Sequence, residues 1–178
     1  MQDINSSAVK LVIAGPVGAG KTTTIRTLSD SEPVSTEMPM SEPAMGDKTT
    51  TTVAFDFSTV MLEDGQPLFI YGLPGQERFE HMWSIVLEGA FGVLLVLDAS
   101  DERLQEECEG WLAAIEKIAP GTPVVIGLTK TDLLAKPDLR SLRANLAEQG
   151  LVLPVFSFDA RDKAQANHMV RALLASIG

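Results

Sequence analysis

Gly15-Pro16-Val17-Gly18-Ala19-Gly20-Lys21-Thr22 is the stretch that decides the fold, a complete G-x-x-x-x-G-K-[ST] string. Its glycines let successive N–H groups turn inward and form a concavity that holds an anion such as a β-phosphate. Lys21 sets a compact positive charge between the β- and γ-phosphate positions, and the Thr22 hydroxyl is available to Mg²⁺. The flanks agree. Residues 8–14 (Ala-Val-Lys-Leu-Val-Ile-Ala) read as a buried strand, and from Thr23 onward the chain opens a helix whose N-terminus faces the phosphates. Phosphate contacts are therefore expected from Gly15 through Thr23.

Outward from this loop, apolar runs alternate with segments of helical period. Strands are expected over 8–14, 52–61, 67–71, 92–98, 123–129 and 153–157. The runs at 92–97 and 123–128 are continuously apolar, as central parallel strands covered on both faces require. Helices are expected over 21–30, about 77–88, 102–118, 138–148 (opening after Pro137 with Asp138) and 162–176. Residues 31–51 break the pattern. They hold Pro33, Pro39, Pro43 and Gly46 among Ser, Thr, Glu and Met without periodicity, and a structureless stretch of that length inside a compact domain is usually functional.

The length of 178 residues fits one domain, 1–178. A net charge of −10 argues against a nucleic-acid surface and against polybasic attachment to anionic lipid. One cysteine, Cys108, cannot form an internal disulfide, which points to a reducing cytoplasm. Gln2 stands where myristoylation needs glycine, the C-terminus carries no prenylation box, and no apolar run is long enough to span a bilayer, so no intrinsic membrane anchor is expected.

Thr129-Lys130-Thr131-Asp132 closes the fifth expected strand and discriminates among nucleotides. A carboxylate at Asp132 accepts from both N1–H and the exocyclic amine of guanine, whereas adenine offers neither donor. Lys130 can lay its stem over the base. Phe158-Asp159-Ala160-Arg161 follows the sixth strand, where a backbone N–H can meet guanine O6. Asp98 reads as a helix cap with Ser100 rather than a metal ligand. His81 and His168 lack ligand spacing, and Met82-Trp83 reads equally as a partner-facing patch or as the buried side of a short helix.

With these residues the chain resembles the small Ras-like GTPase superfamily over essentially its whole length, and within it the bacterial MglA-like and conservon-type branch. The resemblance rests on Gly15 to Thr22, the run Thr49-Thr50-Thr51-Thr52-Val53, Leu73-Pro74-Gly75-Gln76-Glu77-Arg78-Phe79, and Thr129 to Asp132, in that order. It implies an α/β P-loop fold, a three-layer sandwich with a six-stranded, mostly parallel sheet whose second strand is an antiparallel edge. It also implies GTP or GDP as the bound nucleotide, Mg²⁺ as cofactor, and a roadblock-type protein as activator or effector. Residues 31–52 become a first switch whose threonine binds Mg²⁺, with Thr52 the first choice and Thr51 the second. Gly75 and Gln76 become the second switch, Gly75 donating its N–H to the γ-phosphate and Gln76 orienting the attacking water.

Two departures matter. The superfamily's Asp-x-x-Gly-Gln has Gly72 in place of the aspartate that holds a water on Mg²⁺, and no arginine lies between Arg26 and Arg78. Arg78 is thus the one local candidate for a catalytic arginine, with a surface switch residue or partner contact as the alternative reading, and slow intrinsic hydrolysis is expected. The competing reading is a guanine-nucleotide-binding module with little or no turnover. A small phosphotransferase is disfavoured, because the arginines are scattered and form no lid cluster.

Overall fold

The structure, a computed structural model, describes residues 9–30, 34–41, 50–62, 64–76, 79–135 and 139–176, with backbone alone for 34–41 and 50–54. Strands β1 (Val9–Ala14), β2 (Val34–Ser41), β3 (Thr50–Met61), β4 (Pro67–Gly72), β5 (Gly92–Asp98), β6 (Val124–Thr129) and β7 (Val155–Ser157) are joined by helices α1 (Lys21–Leu28), α2 (Glu80–Leu87), α3 (Leu104–Ile118), α4 (Leu139–Glu148) and α5 (Lys163–Ala175), except that β2, β3 and β4 follow one another directly. The sheet runs β2-β3-β4-β1-β5-β6-β7. Pairings from β4 through β7 are parallel, and β3 is antiparallel to both of its neighbours.

Two apolar layers sandwich the sheet, and residue alternation along each strand assigns the faces. Val12, Leu95 and Ile126 turn to the side covered by Trp83, Trp111, Ile115 and Leu146 of α2, α3 and α4. Leu11, Ile13, Leu94 and Val125 turn to the side covered by Ile25 and Leu28 of α1 and Met169 and Leu173 of α5. Every residue of β6 is buried, which accounts for its unbroken apolar sequence.

The expected α/β class and all six expected strands are present, with ends shifted by a few residues. The difference lies in the stretch expected to be structureless: residues 34–41 form a seventh strand, so the second expected strand, now β3, is antiparallel but not the edge. Pro39 is compatible with β2 because an edge strand needs hydrogen bonds on one side only. The Met82-Trp83 alternative resolves toward packing. Both are buried, and the Trp83 ring stacks on Trp111 with centroids 4.2 Å apart. Cys108 is buried in the same layer, on the inner face of α3. The expected opening of α4 at Pro137 and Asp138 lies outside the described residues.

Candidate nucleotide site

The site forms where β1, β4, β5 and β6 end. Sharp reversal after β1 requires glycine. Gly15 has φ 140°, and a Cβ there would lie 2.0 Å from the Val96 carbonyl oxygen. Gly18 and Gly20 also take positive φ, and Gly20 leads into α1, so free N–H groups of the first helical turn border the loop. Lys21 reaches back over the loop to donate to the Pro16 carbonyl at 2.6 Å. Burial lowers its ammonium pKa to about 8, partly opposed by the charge of Asp56.

Across the mouth of the loop lies the stretch around Gly75 that is expected to be the second switch. A Cβ on Gly75 would sit 2.7 Å from the Val17 nitrogen and 2.8 Å from both the Gly15 oxygen and Lys21 Nζ. Only glycine brings backbone this close to the phosphate loop. Trp83 anchors the same stretch, its indole N–H donating to the Pro74 carbonyl at 3.1 Å. Gln76, the next residue after Gly75, is exposed. Arg78 lies outside the described residues, as does Thr49.

A hollow of about 290 Å³ beside the loop is lined by Ala19, Gly20, Thr23, Thr129, Lys130, Asp132, Leu133, Asp159, Ala160 and Arg161. Two stretches more than 100 residues from the loop in sequence thus share one pocket with it. A buried hydroxyl ties the first of these stretches to the loop: Thr129 Oγ1 shares its one proton between the Ala19 carbonyl at 2.7 Å and the Leu97 carbonyl of β5 at 3.1 Å. Lys130 follows in a left-handed conformation with φ 56°, unusual for a residue with a side chain, and its Nζ pairs with Asp98 at 2.5 Å. Asp98 also accepts from the Ser100 N–H and hydroxyl. Burial alone would raise its pKa, yet Lys130 and Ser100 hold it below the ordinary value. Its expected role as a cap is corrected: α3 opens at Leu104, and Asp98 instead closes the turn after β5 and holds Lys130.

The remaining wall is built by two local devices. The Arg161 guanidinium forks onto both oxygens of Asp159 at 2.8 Å each, and this pairing holds the Asp159 carboxyl down at about 2. Asp162 caps α5 by accepting from the Ala164 and Gln165 N–H groups, while the Gln165 side-chain oxygen accepts from the Asp159 N–H at 3.0 Å. The Ala160 backbone is thereby fixed between a helix cap and a salt bridge.

Thr52 is not brought to the loop. It lies in β3 opposite Pro39, four residues beyond Asp56 and thus about 13 Å further along the extended strand. The group that does face Thr22 is one the sequence reading passed over: Thr22 Oγ1 donates to Asp56 Oδ2 at 2.5 Å. Its signal, a carboxylate in the register position opposite Gly72, exists only once β3 and β4 are aligned.

A glycine-rich phosphate loop and a carboxylate-bearing pocket at the carboxyl ends of a doubly covered sheet define a P-loop nucleotide-binding domain of the Ras-like class. Within that class, residues 31–176 match the family described as "Conserved hypothetical ATP binding protein", and the chain belongs to this family. The matched span takes in Gly75, Gln76 and the pocket residues from Thr129 to Arg161 but begins after the phosphate loop. Curated relatives include the GTP-binding protein ypt4 of Schizosaccharomyces pombe, 30% identical over 70% of this chain and 52% of the relative, so the chain spans about half that protein's length. The Ras-related proteins RABD2a of Arabidopsis thaliana and Rab-13 of Rattus norvegicus are 27% and 26% identical, each over 94% of this chain and 79% of the relative.

Proposed function

We propose that the chain is a single guanine-nucleotide-binding domain that acts as a molecular switch and hydrolyses GTP slowly to GDP with Mg²⁺. The observation that carries this reading is the common pocket in which Asp132 and the Lys21 loop border one purine-sized hollow. Asp132 recognises the two donor groups of guanine, Lys130 covers the base, and Ala160 offers its N–H. The family's printed description speaks of ATP, whereas the chemistry of Asp132 favours guanine. Three relatives carry Ras-related or GTP-binding names, which supports the same reading.

The phosphates would be held by the N–H groups of residues 15–23 and by Lys21, and Mg²⁺ by the Thr22 hydroxyl. Mg²⁺ supplies neutralisation of charge on the β- and γ-oxygens. In the triphosphate state Gly75 donates its N–H to the γ-phosphate, and Gln76 orients water. Thr52 joins Thr22 only after the outer end of β3 rearranges, which makes residues 31–52 and 72–84 the segments a partner reads. Gly72 and the scarcity of arginine near the phosphates support slow turnover and dependence on an activator, with Arg78 as the local alternative. Gly72 also supports kinship with the MglA-like bacterial branch, and hence a roadblock-type partner and a role in motility, polarity or signalling in the cytoplasm. Among the described residues no helix is long and apolar enough to cross a membrane.

Competition against fluorescent GTP tests the reading: GTP and GDP displace it, and ATP does so at least a hundredfold less well. Equal displacement by ATP refutes the role of Asp132. The same Gly72 favours one second reading, a nucleotide-binding module without turnover. Single-turnover hydrolysis separates the two, because a switch converts its bound GTP and a module does not.

A further inference from the structure

We propose that Asp56 supplies the carboxylate of the magnesium site from the strand next to the one that lacks it. The inference rests on the nucleotide reading above and extends it to a residue outside every motif of the sequence. In the β3–β4 ladder Phe57 pairs with Tyr71, so the next step of the antiparallel register sets Asp56 opposite Gly72. Directly opposed residues of an antiparallel pair project to the same face. A Cβ built on Gly72 would lie 3.2 Å from the Asp56 Cβ, closer than the roughly 4.5–5.5 Å usual for directly opposed residues. It would also lie 2.8 Å from Ile25 Cδ1. The two positions therefore compete for one space over the N-terminal turn of α1. Glycine at 72 leaves that space to the side chain at 56.

Asp56 uses the space as a metal site requires. Its Oδ2 accepts the Thr22 hydroxyl proton at 2.5 Å, which leaves the lone pairs of Thr22 Oγ1 free to face a cation. Lys21, the residue before Thr22, feels the charge of Asp56, so carboxylate, hydroxyl and ammonium would face bound terminal phosphates together. Among the described residues no group of three or more His, Cys, Asp or Glu side chains is arranged to hold a metal. That suits Mg²⁺, which takes one or two carboxylates together with phosphate oxygens and water rather than an all-protein cage. The ion would arrive with the nucleotide, and Asp56 would hold it directly or through one of its waters.

Release of fluorescent GDP from the full-length chain, measured while Mg²⁺ is titrated against EDTA, tests this without recourse to hydrolysis. In the unaltered chain Mg²⁺ slows release. Asp56→Asn is expected to raise the Mg²⁺ concentration for half-maximal slowing by about 10–100-fold. Stoichiometric binding of fluorescent GDP by Asp56→Asn in EDTA shows that its nucleotide pocket has folded. The triple variant Ile25→Val, Asp56→Gly, Gly72→Asp moves the carboxylate back to β4 and clears its path, and it is expected to recover Mg²⁺ sensitivity relative to Asp56→Gly alone. An Asp56→Asn chain with an unchanged Mg²⁺ titration overturns the proposal while leaving guanine binding intact. Failure of the unaltered chain to bind fluorescent GDP overturns the nucleotide reading itself.

Discussion

Replacing Thr129 by valine removes one hydroxyl and almost no volume, and the structure says what that hydroxyl does. It is buried at 2% exposure and donates to Ala19 of the phosphate loop and to Leu97 of β5. Valine preserves the Cγ2 methyl, which lies 3.5 Å from a Cβ built on Gly20, so packing is retained and the polar change is isolated. Removing the donor from buried carbonyls costs about 1–3 kcal/mol. Thr129→Ser does the reverse, keeping the hydroxyl and losing a methyl worth about 0.8 kcal/mol. Urea unfolding followed by the fluorescence of the stacked Trp83 and Trp111 pair measures both. The valine variant should unfold at lower urea than the serine variant and should bind GDP and GTP more weakly to the same degree, because the tether joins the loop to the base-side stretch and both nucleotides share the guanosine and first two phosphates. A valine variant as stable as the unaltered chain, with serine the weaker of the two, would refute the view that this hydroxyl couples the two halves of the pocket.

Nucleotide binding should take up a proton at alkaline pH. Lys21 has a pKa of about 8 in the free chain, and a bound polyphosphate raises it, so affinity is complete below pH 8 and declines as pH climbs above it. Calorimetry at pH 8.5 in buffers of different ionisation enthalpy reads the uptake directly, and buffer-independent heats would contradict it. Trp83→Phe should cost about 1 kcal/mol through loss of the bond to Pro74, whereas Trp83→Ala should cost about 3–5 kcal/mol by opening the stack on Trp111. Circular dichroism during urea unfolding distinguishes them, and an alanine cost below about 1 kcal/mol would contradict the burial of this ring.

The parts legible in the sequence are those in which local chemistry and final position coincide. Gly15, Gly18 and Gly20 announce a backbone that must turn with positive φ, and the unbroken apolar runs of β5 and β6 announce burial on both faces. Thr129 to Asp132 was legible as a pocket edge because it ends such a run. Strand β2 was hidden, since Pro39 and the polar residues around it carry no strand pattern of their own, and the segment is ordered by pairing along β3. Asp56 was hidden for a different reason. Its importance lies in facing Gly72, a relation set by the register of two strands joined through the turn after Met61. Asp98 reads in the sequence as a helix cap because Ser100 stands beside it, whereas the group it serves, Lys130, lies 32 residues away.

The chain's one thiol has a practical consequence. Cys108 lies on the buried face of α3, and burial drives its pKa up to about 12, so alkylating reagents meet neither an exposed sulfur nor a thiolate while the helix stays packed. A cysteine introduced at any exposed position would then be the sole target of a maleimide dye. Movements of the β2–β3 hairpin can thus be followed by a probe attached at a single chosen point, with the native sulfur silent underneath.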